Sequence, residues 1–181
     1  MAKKRLFVGL FTPLDFKEVK REVEELGVEG KWVEPENLHI TLRFIGEVEE
    51  EKLPQIAKML RSRLKGAGAI ELSYKGLGAF KKNGVPRVLW VGVEAKGLKE
   101  VKERVDRALM PFGLTPEADF KPHITLLRIK KVKRRGKLGG IIFKMKEFDF
   151  GGKVETKVCL IESKLTPEGP VYKVVEEFEL G

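Results

Sequence analysis

The segment His39-Ile40-Thr41-Leu42 occurs a second time, a little over eighty residues later, as His123-Ile124-Thr125-Leu126. These two segments contain the only two histidines of the 181-residue sequence. Agreement at the three positions after a histidine would arise by chance roughly once in a few thousand trials. The repetition therefore predicts two copies of one structural unit, each carrying a matching histidine.

The sequence around the two tetrapeptides repeats in the same order. Phe7-Val8-Gly9-Leu10 corresponds to Trp90-Val91-Gly92-Val93, and the helix start at 16–20 corresponds to 98–102. Two copies are too few for a solenoid, whereas a duplicated unit brings equivalent positions face to face across a shared cleft. We therefore expect a single bilobal domain over residues 1–181, with pseudo-repeats at roughly 5–46 and 87–129.

Hydrophobic periodicity predicts strands that alternate with helices, which leaves α/β and α+β folds open. The helices are indicated by apolar residues at helical spacing from Phe16 to Leu26, Leu53 to Leu64 and Leu98 to Leu109. The predicted strands are Arg5 to Phe11, Leu38 to Ile45, Ile70 to Tyr74, Arg87 to Val93, His123 to Ile129, Val154 to Ile161 and Val171 to Phe178.

The repeated tetrapeptide has the residue types that a phosphate site needs. In a strand, each histidine shares a face with the threonine two residues later, while the intervening apolar side chains face the core. Threonine hydroxyls can donate to phosphate oxygens. Two imidazoles, with an ordinary pKa of about 6.5, can supply a general base and a general acid near neutral pH. The pattern predicts that His39 and His123 act together on one phosphorus atom.

Other interpretations of the histidines and of Cys159 carry less weight. A single strand histidine is more often structural than catalytic, but repetition of the whole segment favours catalysis. Two histidines in equivalent positions lack the further ligands that a zinc site needs, so we expect no metal. The sequence has no glycine-rich phosphate loop of the Walker or dinucleotide type. Cys159 lies in an apolar run and is expected to be a buried hydrophobic residue.

The formal net charge of +9 favours a polyanionic partner. Six basic residues crowd into 130–137, which we expect to be a surface loop, either solvated or in contact with nucleic acid. No apolar run approaches the length of about 20 residues that spans a bilayer, and the N-terminus lacks a signal-peptide core, so we expect a soluble, cytoplasmic protein with no membrane contact. The abundance of charged residues, 35% of the chain, is typical of heat-adapted proteins.

Taken with their surroundings, the two histidine segments resemble the 2H phosphoesterase superfamily. The resemblance is strongest to its RNA 2′,3′-cyclic phosphodiesterase branch, also called 2′-5′ RNA ligase. It extends over nearly the whole chain and rests on the segments 5–8, 37–46, 87–90, 120–128 and 162–172.

The resemblance implies an α+β fold in which two antiparallel sheets flank a central cleft, with helices outside. It also implies a hydrolase, without metal or other cofactor, that converts a terminal 2′,3′-cyclic phosphate of RNA to a 2′-phosphate. By their positions in the motif, His39 would be the general acid and His123 the general base. Further roles implied by the motif are phosphate binding by Thr41, Thr125 and Arg128, and stacking on the terminal base by Phe44.

Strand alternation conflicts with two of these implied roles. Strict alternation places Arg43 rather than Phe44 on the His39 face, and it places Arg128 opposite His123. Either a bulge or a strand end follows the threonines, or the two roles are wrong. Otherwise Phe44 would be a core residue and Arg128 would form a surface salt bridge.

Two other functions remain as alternatives from the sequence. The same acid and base could join RNA ends through a 2′-5′ linkage, although water at roughly 55 M favours hydrolysis. The chain could also be a nucleotide- or RNA-binding module without turnover, which the intact histidines and threonines of both segments disfavour. The expected partner is RNA with a 2′,3′-cyclic phosphate end, including tRNA fragments or nucleotides, bound by a monomer.

Overall fold

The computed structural model describes residues 2–181. Within that range, four α-helices are α1 (Lys17–Glu25), α2 (Leu53–Leu64), α3 (Leu98–Leu109) and α4 (Arg135–Lys144). The strands are β1 (Lys3–Phe11), β2 (Glu29–Trp32), β3 (His39–Glu49), β4 (Ile70–Lys82), β5 (Val85–Lys96), β6 (His123–Lys131), β7 (Asp149–Glu155), β8 (Lys157–Thr166) and β9 (Gly169–Glu179). Short 3₁₀ turns at Pro35–Asn37, Glu50–Lys52 and Met110–Phe112 complete the elements.

The strands form one sheet in the order β7-β4-β5-β6-β3-β1-β8-β9, and β2 pairs with β6. All strand pairs are antiparallel. Two four-stranded sets meet between β6 and β3, where Ile40 pairs with Ile124. The α+β class with antiparallel sheets is thereby confirmed, and the two expected sheets are joined at this pair.

The helices cover one face of the sheet because their apolar stripes need burial. Val19 and Val23 of α1 and Val101 and Val105 of α3 are fully buried, at the spacing of one helical face. They share one hydrophobic core with the buried residues of β1, β3, β5 and β6. The opposite face of β3 and β6 is left free of this core.

The structure corrects three expectations from the sequence. The segment expected as a loop, 130–137, contains the end of β6 and the start of α4. The run predicted as one strand from Val154 to Ile161 belongs to β7 and β8, which are separate. The short strand β2 was not predicted, because its four residues are mostly exposed and show no alternation.

Two further observations concern the chain as a whole. None of the helices within residues 2–181 is long and apolar enough to span a membrane. Cys159 is a buried free cysteine, as expected, and burial raises the pKa of its thiol to about 11. The thiol is therefore protonated at neutral pH and is a poor nucleophile.

Candidate active site

The two histidines lie on the same face of the sheet, on neighbouring strands. Ile40 and Ile124, which follow them, form the pair that joins β3 to β6 and are fully buried on the core side. Because side chains alternate along a strand, His39 and His123 project from the other side. Thr41 and Thr125 share that face with them. The structure thus brings the four residues of the repeated motif together on one surface.

Each imidazole is held by a backbone carbonyl two residues earlier in the chain. His39 Nδ1 lies 2.7 Å from the carbonyl oxygen of Asn37, and His123 Nδ1 lies 2.8 Å from that of Lys121. A carbonyl oxygen only accepts hydrogen bonds, so Nδ1 must carry the proton in both rings. Nε2 of each ring is therefore the nitrogen available for proton transfer to or from a substrate.

Aromatic rings fix the orientation of both imidazoles. The T-shaped contacts are those between His39 and Tyr172, with ring centroids 5.2 Å apart, and between His123 and Phe80, at 4.8 Å. Phe7 lies 5.0 Å from His39, and Trp90 lies 6.3 Å from His123. Each histidine is thus confined between two rings.

A β-bulge follows each threonine and resolves the conflict in strand alternation. Between β1 and β3 the pairing passes from Gly9 with Thr41 directly to Val8 with Arg43, which leaves Leu42 unpaired. Between β5 and β6 it passes from Trp90 with Thr125 to Leu89 with Leu127, which leaves Leu126 unpaired. Because of the extra residue, each side chain after the bulge lies on the face opposite to the one that strict alternation predicts.

After the bulges, Phe44 and Arg128 stand on the histidine face. Phe44 is 48% exposed, and the guanidinium of Arg5 lies 5.0 Å from the centre of its ring. Phe44 is therefore not a core residue. Arg128 is exposed, while Leu127 beside it is fully buried. Of the alternatives from the sequence, the structure contains the bulge, and the two implied roles stay predictions.

Burial dominates the electrostatics of His39. It lowers the pKa of His39 from the ordinary value of 6.5, against the opposing hydrogen bond to Asn37. Electrostatic repulsion from Arg128 and His123 lowers the pKa of His39 further, because nearby positive charge disfavours the protonated ring. The site is thus cationic, and its field favours an anion beside His39.

Arg43 is directed by its bulge into an ionic network on the core side. It is 9% exposed, and its Nη1 lies 3.4 Å from Glu117 Oε1 and 3.8 Å from Asp106 Oδ1. Lys102 Nζ donates to the same two carboxylates, at 2.6 and 2.8 Å. Partial burial alone would raise the pKa of Glu117, but the hydrogen bond and charge of Lys102, together with Arg43, lower it. The network links β3 to α3 and to the loop that precedes β6.

Within residues 2–181, no group of three or more His, Cys, Asp and Glu side chains is placed to hold a metal ion. The donors that converge on the histidine face are instead hydroxyls, imidazoles and a guanidinium. These groups suit a phosphate anion.

The sequence did not single out Phe80 as a site residue. Its ring reaches His123 from β4, a strand of the central sheet that lies outside both repeats. A signal was present only for Trp90, which contacts both Phe80 and His123: Gly78 lies inside a strand, where a glycine often marks a close approach by another group. A Cβ at Gly78 would overlap the indole ring of Trp90.

Known proteins share both the sequence and the fold. A family model described as LigT like Phosphoesterase matches residues 13–90 and again residues 91–172. A protein from Aquifex aeolicus, named RNA 2′,3′-cyclic phosphodiesterase, is 40% identical over 98% of this chain and 97% of its own. A Methanocaldococcus jannaschii protein of the same name is 36% identical over 96% of this chain and 99% of its own.

Solved structures agree with these sequence relatives. The crystal structure of a Thermus thermophilus protein matches with a TM-score of 0.76 at 31% identity, covering 97% of both chains. Escherichia coli LigT in its apo form matches with a TM-score of 0.70 at 23% identity, covering 99% of both chains, which shows a shared fold.

An antiparallel sheet with two histidine–threonine segments side by side defines the class of 2H phosphoesterases. Within that class, the chain belongs to the LigT-like phosphoesterase family.

Proposed function

We propose that this chain hydrolyses the terminal 2′,3′-cyclic phosphate of RNA to a 2′-phosphate, using His39 as general acid and His123 as general base without a metal. The observation that carries the proposal is the matched anchoring of the two imidazoles. Each presents Nε2 on the same face of the sheet, beside a threonine hydroxyl. The names of the Aquifex and Methanocaldococcus relatives support the choice of substrate.

The proposed reaction is a single displacement at phosphorus. His123 Nε2 accepts a proton from water as the water oxygen attacks the phosphorus atom. The bond between phosphorus and O3′ breaks, and protonated His39 donates its Nε2 proton to O3′. The products are a 2′-phosphate and a free 3′-hydroxyl, and proton exchange with solvent resets both rings. Each group commonly contributes roughly 10²- to 10⁴-fold to the rate.

Charge on the nonbridging oxygens would be stabilised by Thr41, Thr125 and Arg128. The two hydroxyls can each donate one hydrogen bond, and Arg128 adds a full positive charge close to His39. Such preorganised donors are most effective when they are aimed at the oxygens that gain charge in the transition state.

Phe44 is the proposed platform for the terminal base. Its exposed ring lies on the site face beyond Thr41, and the nearby guanidinium of Arg5 adds a cation beside the stacking surface. A base stacked there would leave the ribose close to the two histidines.

The wider assignment is that residues 1–181 act as a single bilobal domain and as a monomer. The substrates would be RNA ends such as tRNA fragments in the cytoplasm. Light scattering coupled to size-exclusion chromatography, with and without RNA, checks the monomer. A stable dimer would contradict that part of the proposal.

Incubation with an oligonucleotide that ends in 2′,3′-cyclic phosphate tests the activity, in the presence of a chelator. We expect a 2′-phosphate product and undiminished turnover. His39→Ala and His123→Ala are each expected to lose activity by roughly 10²-fold or more while keeping the circular dichroism spectrum. Full activity in either variant would refute the mechanism.

Two further outcomes are informative. A 3′-phosphate product would reverse the expected leaving group. A second oligonucleotide with a 5′-hydroxyl, added to the reaction, detects joining. A 2′-5′ linkage as the main product would replace hydrolysis with ligation.

A further inference from the structure

A row of side chains next to the histidines extends the site across four strands. Phe80 of β4 pairs with Val88 of β5, Val88 pairs with Arg128 of β6, and Arg128 pairs with Lys31 of β2. Residues directly opposite each other in paired strands share a face, so these four side chains stand on the histidine face. We call Phe80, Val88, Arg128 and Lys31 the outer row.

The outer row crosses β6 at Arg128, one step along the strand from the proposed phosphate ligand Thr125. Thr125 pairs with Trp90, and the next residue of β6 on the same face is Arg128. Same-face neighbours along a strand are ~7 Å apart. Arg128 also acts on the pKa of His39 and on that of Tyr172, which places the outer row in the field of the same site.

The composition of the outer row suits a nucleotide. Phe80 is 37% exposed and meets His123 edge to face, so part of its ring is open to solvent. Lys31 and Arg128 supply two cations, and Lys82 lies two residues beyond Phe80 on the same side of β4. An exposed aromatic ring next to cations is the combination that binds single-stranded nucleic acid.

The two lysines are free to bind an anion. Neither Lys31 nor Lys82 takes part in any ion pair formed among residues 2–181. A Cβ at Gly169 would lie 2.8 Å from Lys31 Nζ, so this ammonium reaches the turn between β8 and β9. Tyr172, which contacts His39, stands on β9 just after that turn.

We propose that the outer row, extended by Lys82, binds the penultimate nucleotide of a single-stranded RNA substrate. This inference rests on the proposed function. The cyclic phosphate joins O2′ and O3′ of the terminal ribose, so the rest of the RNA must leave through O5′ of the same ribose. With the terminal base on Phe44, the chain passes over the outer row. Phe80 stacks on the penultimate base, and Lys31 and Lys82 contact its phosphates.

A comparison of two substrates tests the inference. The first is a nucleoside 2′,3′-cyclic phosphate, and the second is a single-stranded oligonucleotide with the same terminal nucleotide. We expect kcat/KM to be higher for the oligonucleotide and to fall more steeply with salt, because more phosphates are neutralised. Equal kcat/KM and equal salt dependence would overturn the inference and leave the proposed function intact.

Removing the charges of Lys31 and Lys82 tests whether these two residues cause the preference for the oligonucleotide. The double variant Lys31→Gln/Lys82→Gln is expected to lower the ratio of oligonucleotide to mononucleotide kcat/KM by roughly fivefold. The matched control is Lys58→Gln/Lys99→Gln, which removes the same charge from exposed positions on α2 and α3. The same ratio change in both double variants would attribute the effect to net charge and overturn the inference.

Phe80→Ala is expected to lower the same ratio by roughly tenfold, and Phe80→Tyr is expected to restore it. Since Phe80 touches His123, a loss that is equal for both substrates would assign it to positioning of the imidazole and overturn the stacking role.

Binding gives a readout that does not depend on turnover. Fluorescence anisotropy with an oligonucleotide ending in a 2′-phosphate should show weaker binding by Lys31→Gln/Lys82→Gln than by the control. Unchanged binding would overturn the inference. If the wild-type protein hydrolyses neither substrate, the proposed function fails, and this binding experiment still decides the outer row.

Discussion

His39 and His123 are anchored alike but differ in their surroundings. Burial lowers the pKa of His39, so the free protein favours its neutral ring at neutral pH. A general acid needs the protonated ring. A phosphate anion bound beside the imidazole favours that form, because an opposite charge nearby raises the pKa of a histidine. Substrate binding would therefore prepare His39 for its proposed role.

The pH dependence of the single variants checks this assignment. In His123→Ala, residual kcat/KM should fall as pH rises, with a midpoint below the ordinary histidine value of 6.5, since only protonated His39 is active. The midpoint for kcat should lie at higher pH, because kcat reports the complex with the anion.

His39→Ala provides the complementary measurement. Its residual activity should rise with pH, because His123 must lose its proton to act as a base. If activity instead rose with pH in His123→Ala and fell with pH in His39→Ala, His39 would be the base and His123 the acid.

Gly78 is where the site tolerates no side chain. We expect Gly78→Ala to destabilise the protein by about 1–3 kcal/mol, because the new Cβ would overlap the indole ring of Trp90. Turnover should fall as well, since Trp90 helps to confine His123. Denaturant unfolding and kcat measure the two effects, and wild-type values for both would show that the indole moves away without cost.

Among the elements, strands with a core-facing apolar pattern were predictable and glycine-rich or exposed ones were not. The patterns of β1, β3 and β6 located the site strands correctly. Helix α4 was missed because three glycines interrupt its ten residues and only Leu138 is buried. The bulges at Leu42 and Leu126 leave no periodic signal, because an unpaired leucine looks like any other core residue in sequence. Only the conflict between strand alternation and the implied roles of Phe44 and Arg128 pointed to them.

Helix α4 therefore offers a stabilising substitution. Gly140 lies within the helix, and a Cβ there would meet no atom within 4 Å. We expect Gly140→Ala to raise the free energy of unfolding by about 0.5–1 kcal/mol, because glycine loses more backbone entropy in a helix than alanine does. Urea denaturation measures the change, and a destabilised protein would contradict it.

At the scale of the molecule, the network of Arg43, Lys102, Asp106 and Glu117 ties the first histidine strand to the segment before the second. Lys102 and Asp106 are 3% and 6% exposed. Lys102→Met would leave Asp106 without its hydrogen-bonded cation, and we expect a loss of about 3 kcal/mol.

Lys99→Met on the exposed side of α3 is the control, with an expected change within about 0.5 kcal/mol. Equal stability of the two variants would mean that Arg43 alone neutralises both carboxylates.

The extent to which the site was predictable follows from where its residues lie in the sequence. Four residues of the site could be predicted because they occur twice, in the repeated tetrapeptide. Phe80 and Lys31 come from β4 and β2, and only the register of the sheet places them in one row with Arg128. Such non-local pairings leave no periodic signal in a single sequence.

The carbonyl that anchors each imidazole belongs to the same short stretch of chain as the ring itself. The hydrogen bond that orients Nε2 of each histidine is therefore local, and neither segment depends on the other for it. Copying one such stretch would yield a second imidazole with the same Nδ1 anchor, and the surrounding strands would then supply the aromatic neighbours and the shared face.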